Sequence, residues 1–130
     1  MKIFIYLISF VITSCSNIKE NELYGKYIPI SYHNTYDTLV IKKNKEYERR
    51  VYNHNKKLLL DYKSTFQLES LGSIKFDNFY LNLDRDLVKM PEDVKDTDMS
   101  MTTNFEKKDK DIIICFGYHE GENCYKKILE

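Results

Sequence analysis

"DTLVIKKNKEYERRVYN", residues 37–53, is the stretch that decides the fold class. Over residues 37–43 the side chains alternate: Leu39 and Ile41 share one face, and Thr38, Val40 and Lys42 the other. Asn44 and its neighbours supply turn chemistry, and "EYERRVYN" returns with Tyr47 and Val51 on one face. A period of two on both arms predicts a β-hairpin with one side turned to a core. Lys42, Lys43, Lys45, Arg49 and Arg50 make this hairpin basic, and Glu46 and Glu48 balance it. They read as a charged solvent face, with a contact for a partner or a phospholipid head group as the second reading.

Strand signals continue on both sides. Upstream, "LYGKYIPISY" from Leu23 predicts a strand whose glycine, set between aromatics, marks a bend or close packing. Downstream, "HNKK" at 54–57 is a polar turn, and "LLLDYKSTFQLE" carries Phe66 and Leu68 in strand phase. "SIKFDNFYLNL", 73–83, changes parity: Ile74 and Phe76 agree, but Phe79, Leu81 and Leu83 take the opposite set. One regular strand cannot point both sets inward, so a bulge or tight turn is expected at Asp77-Asn78. Residues 84–110 read as a long polar loop with sparse anchors, Met90, Met99, Met101 and Phe105. Pro91-Glu92-Asp93 within it has the composition of a helix start. "DIIICFGY" and "NCYKKIL", joined through "HEGE", form a closing hairpin.

Six to eight short strands in a meander predict an all-β domain, an antiparallel barrel or half-barrel. Closure removes the unpaired edges that a flat sheet would expose. At 130 residues there is room for one domain. The 20 basic and 20 acidic residues cancel, which leaves no electrostatic footprint for nucleic acid. Aromatics at 14% are too frequent for a disordered chain.

Residues 1–14 differ from the rest. Lys2 gives a positive start, Ile3 to Ile12 is apolar apart from Ser9, and Thr13 and Ser14 are small. Those are the parts of a secretory signal. The apolar run is about half the roughly twenty residues that a membrane-spanning helix needs. Ile12-Thr13-Ser14-Cys15 resembles the lipobox of bacterial lipoprotein precursors. The resemblance implies cleavage before Cys15, a diacylglyceryl thioether on its sulfur and acylation of its new amino group. At ~0.8 kcal/mol per buried CH₂ such chains make a firm anchor. Ser16, where an inner-membrane retention signal would have aspartate, implies the outer membrane. Residues 15–22 then form a lipidated cysteine and polar tether, and 23–130 a single domain.

"LYGKY" at 23–27, "DTLVIKKNKEYERRVYN" at 37–53 and a final "CYKKI" resemble small lipocalin-like bacterial lipoproteins. Those motifs are structural. They imply a small barrel and, with it, a carrier of a small apolar ligand.

The chemistry-bearing residues are few. Cys115 and Cys124 lie on opposite arms of the last hairpin, and a turn centred on His119-Glu120 sets them facing. In an exported protein this points to a disulfide; two buried thiols in different registers is the other reading. Cys-x-x-Cys spacing, the mark of redox pairs, does not occur. His119, Glu120 and Glu122 lack the second histidine of a zinc helix, and Gly121 opposes helix, so they read as a solvated turn. Asp96, Asp98 and Ser100 mimic the start of a calcium loop, but Met101 and Lys107 stand where glycine and glutamate are required. His33, with Asp37 within reach, and His54 are surface or turn residues. No catalytic, cofactor or metal residue is assigned.

The expectation is a non-enzymatic, lipid-anchored protein of the bacterial envelope, on the periplasmic or surface face of the outer membrane. Its β domain binds a protein partner or, alternatively, a small apolar ligand.

Overall fold

The computed structural model describes residues 18–30, 35–69, 72–79, 100–117 and 123–129. One helical turn, α1 (Glu20–Leu23), precedes eight strands: β1 (Gly25–Pro29), β2 (Thr35–Ile41), β3 (Glu46–Asn53), β4 (Leu58–Leu68), β5 (Ser73–Phe76), β6 (Met101–Lys108), β7 (Asp111–Cys115) and β8 (Cys124–Lys127). Each strand pairs antiparallel with the next, and β8 pairs back onto β1 through Tyr27↔Lys127 and Pro29↔Tyr125. The described residues form an all-β, closed, up-and-down barrel of eight strands.

The hairpin register follows from its turn. Ile41 faces Tyr47, Leu39 faces Arg49 and Asp37 neighbours the Val51 position. Lys45 closes that turn with φ at 66°. A second left-handed residue, Lys56 (φ 60°), closes the β3–β4 turn. At Asp77-Asn78 the expected tight turn is present, with Asn78 at φ 52°. It lets Ile74, Phe76 and Phe79 all reach the core despite their parity. Between Val51 and Tyr52 the β3–β4 register shifts, a bulge that places Leu60 opposite Val51 but Leu58 opposite Tyr52.

An eight-stranded barrel has an interior just wide enough to be filled by side chains or to hold one small ligand. Here rings occupy it. Phe79 stacks on Phe116 at 4.3 Å, Phe76 lies 5.1 Å from both Phe79 and Tyr47, and Tyr125 meets Phe116 edge-on at 5.6 Å. Each such side chain contributes about 1.5–3 kcal/mol of transfer free energy.

Two expectations are corrected. The polar tether expected over 15–22 ends sooner: Ile18 and Leu23 pack on the core and α1 is fastened across one end of the barrel. Tyr27 Oη donates to the Leu23 carbonyl (2.7 Å), Lys127 Nζ to the Glu22 carbonyl (2.6 Å), and Lys107 pairs with the Glu22 carboxylate (3.0 Å). Orphaned carbonyls at the end of a helical turn need such donors, and β1 and β8 supply them, while β6 holds the Glu22 side chain. The loop assigned to 84–110 is also too long: Met101–Lys108 is a strand. Its inward row is Met101, Thr103, Phe105 and Lys107, of which only Phe105 is fully buried, so alternation is faint. The strand exists because β5 and β7 need a partner, and β6 bonds to both. The helix start at Pro91 falls outside the described residues.

Gly25 is as close-packed as expected. Its φ is +140°, and an added Cβ would lie 2.8 Å from Lys127 Cε.

Candidate functional site

β2 runs from the far end of the barrel to the α1 end, since Ile41 pairs with Gly25, the residue that opens β1. Residues on its outward parity near Thr35, and their partners on β3 and β4, therefore sit at the end opposite α1. There Tyr36 pairs with Tyr52, and Tyr52 pairs with Leu58. Tyr36 is 58% exposed and Leu58 46%, with Tyr52 half-buried between them. Ile30, 54% exposed, follows β1 at the same end, where its N–H donates to the Cys124 carbonyl (2.9 Å). Tyr36, Tyr52 and Lys56 line an open cleft of about 450 Å³.

The turn beside this stripe is held by its own atoms. Asn53 Oδ1 accepts from the backbone N–H groups of Asn55 (3.0 Å) and Lys57 (2.9 Å), and the Asn53 carbonyl accepts from Lys56 N–H (2.9 Å). An asparagine side chain closing its own turn in this way fixes a left-handed residue that is not glycine. Lys56, Lys57 and His54 are exposed there.

Directly inside the stripe lies the other polar feature. Asp37, the residue after Tyr36, points inward and receives Arg49 Nη2 at 2.7 Å and Arg49 Nε at 3.2 Å. Tyr125 Oη donates to the same carboxylate oxygen (2.6 Å) and accepts from Arg49 Nη2 (3.2 Å). The guanidinium lies 5.0 Å over the Phe79 ring. Arg49 is 1% exposed and Asp37 3%. Charges this deep are tolerated only when paired and hydrogen-bonded, and these are both. Arg49 is thus corrected: it is not on the solvent face, because it shares parity with Tyr47 and Val51. The remaining basic residues of the hairpin do face solvent. Lys42 and Lys63 converge on Glu48, and Arg50 reaches Asp61. Burial holds the Tyr27 and Tyr47 hydroxyls far above the usual tyrosine range, so both stay protonated hydrogen-bond donors.

Cys115 and Cys124 face each other in register and are joined, S–S 2.03 Å with Cα atoms 4.0 Å apart. The bond fastens β7 to β8 at the same end as Ile30. His54 is exposed in the β3–β4 turn, and Ser100 is exposed before β6. Cys15, His33, Asp96, Asp98, His119, Glu120 and Glu122 lie outside the described residues. Among the described residues, no three His, Cys, Asp or Glu side chains converge as a metal-ligand set.

Sequence reading passed over both polar centres, though the signal for each was there. Tyr36 is out of phase with Leu39 and Ile41, which places it outside; Asp37 is in phase with them, which places it inside.

No family model matches the chain, and no curated protein or solved structure matches it either.

Proposed function

We propose that this chain is a lipid-anchored protein of the bacterial cell envelope, placed on the outer membrane, whose barrel is a non-enzymatic docking module for a protein partner. The observation that carries the reading is the Tyr36–Tyr52–Leu58 stripe at the barrel end opposite α1, with Tyr36 and Leu58 exposed and Tyr52 half-buried between them. Tyrosine gives large contact area at small entropic cost and is enriched where proteins meet.

The lipobox-like Ile12-Thr13-Ser14-Cys15 supports the anchor. Ile18 is already packed on the barrel, so a lipid on Cys15 reaches the domain through about 10 Å of chain at most. That holds the α1 end beside the bilayer and turns the stripe away from it, toward a partner. The interior filled with rings favours docking outside the barrel over carriage of a small apolar ligand within it. The buried Asp37, Arg49 and Tyr125 satisfy one another, which is the arrangement of a structural group and not of a poised acid or base.

The test is a photocrosslinking residue placed at Tyr36 in the native envelope, with Lys43 near α1 as the control position. Protein adducts from position 36 and not from 43 are expected. Adducts at neither position, or at both alike, overturn the docking reading. The anchor is tested separately: intact mass gains acyl groups on Cys15, and Cys15→Ala releases the protein from membranes. A Cys15→Ala protein that remains in the membrane fraction overturns the anchor.

A further inference from the structure

We propose that the cleft between Tyr36 and Tyr52 receives an acidic segment of the partner, seating one large apolar or aromatic side chain between the rings and pairing a flanking carboxylate with Lys56. This rests on the docking reading above and names the chemistry of what docks.

Shape comes first. The cleft of about 450 Å³ has room for a large side chain, and its walls are two rings on adjacent, directly paired strands. Ring against ring or ring against aliphatic chain is favourable beyond simple burial. The third wall, Lys56, has its backbone held by the Asn53-closed turn, so the turn itself needs no ordering on binding.

Charge comes second. From Val51 to Leu60, "VYNHNKKLLL", there is no acidic residue. Six lysines elsewhere on the barrel are paired with carboxylates: Lys42 and Lys63 with Glu48, Lys45 with Glu20, Lys107 with Glu22, Lys108 with Glu106 and Lys126 with Asp111. Among the described residues, Lys56 and Lys57 have no such counter-charge. The acids of β2 and β4 are engaged, Asp37 inside by Arg49 and Asp61 outside by Arg50. An apolar cleft rimmed by unpaired positive charge selects carboxylates and repels basic segments.

The experiment uses the intact lipidated chain in detergent against an array of short peptides. Each peptide has a central Phe, Leu or Ala flanked by Asp/Glu, Ser or Lys/Arg. Retention of acidic peptides with a central Phe or Leu is expected, weakening about tenfold in Lys56→Glu and in Tyr36→Ala. Both positions are exposed, and unchanged unfolding midpoints confirm that the barrel is intact. Preference for basic or neutral peptides, equal retention with a central Ala, or no retention overturns the proposal. So does short-chain phosphatidylglycerol bound in place of the peptides and lost in Lys56→Glu. If crosslinks at Tyr36 still capture a protein while the array shows no acidic preference, the partner chemistry falls and docking stands. If the crosslinks fail too, both fall.

Discussion

Arg49 and Asp37 meet inside the closed barrel, guanidinium nitrogen to carboxylate oxygen at 2.7 Å, with Tyr125 bridging the pair and Phe79 beneath. The same two strands carry Tyr36 and Tyr52 on their outer faces. The buried pair therefore fixes, from within, the segment that presents the Tyr36–Tyr52–Leu58 stripe outside.

Removing one member of the pair strands the other charge in the core. Arg49→Leu should cost about 3–5 kcal/mol in denaturant unfolding. Replacing the whole set at once, Asp37→Leu with Arg49→Met and Tyr125→Phe, should restore most of that loss. An Arg49→Leu cost below about 1 kcal/mol would show that the pair does not hold the barrel.

Reduction should loosen the end where Ile30 and the stripe lie. Cys115 and Cys124 are 9 residues apart, so the chain-entropy model assigns the cross-link ~2.7 kcal/mol. The intact protein should be two hydrogens lighter than its dithiol form. Its urea midpoint should fall on adding dithiothreitol and in Cys115→Ser with Cys124→Ser, and the two falls should agree.

Acid stability turns on Glu48. Hydrogen bonds from Lys42 Nζ (2.5 Å) and then Lys63 Nζ hold its carboxyl at about 2, against an ordinary 4.5. A carboxyl lowered on folding stabilises the folded state above the unfolded value. The gain disappears as pH falls from 4.5 toward 2. Carbon-detected NMR titration should place the Glu48 midpoint well below 4.5. Glu48→Gln should flatten the fall in stability over that window. A midpoint near 4.5 would remove this contribution.

Gly25→Ala should cost about 1–3 kcal/mol, since φ of +140° is open to glycine and strained for alanine. The new methyl would also press on Lys127 Cε, whose Nζ is tied to the Glu22 carbonyl. Loss of protection at the amides of α1 before any loss in β3 and β4, followed by hydrogen exchange, is the expected signature.

Much of this fold was legible residue by residue. The hairpin of β2 and β3, the turn at Asp77-Asn78, the close packing at Gly25 and the facing cysteines all rest on local pattern: parity, turn residues, spacing. What escaped depended on partners distant in sequence. β6 has a faint pattern of its own and is a strand because β5 and β7 lie on either side of it. α1 looked like free tether because the donors that hold it come from Tyr27, Lys107 and Lys127.

The alternation of residues 37–53 by itself determined a hairpin, and the run of such patterns determined an antiparallel all-β chain. Only the tertiary structure decided that the sheet closes, that Arg49 turns inward to Asp37 and Tyr125, and that Tyr36, Tyr52 and Lys56 share one cleft. Alternation tells which side of a strand a residue occupies; what it meets there depends on strands folded back from elsewhere in the chain.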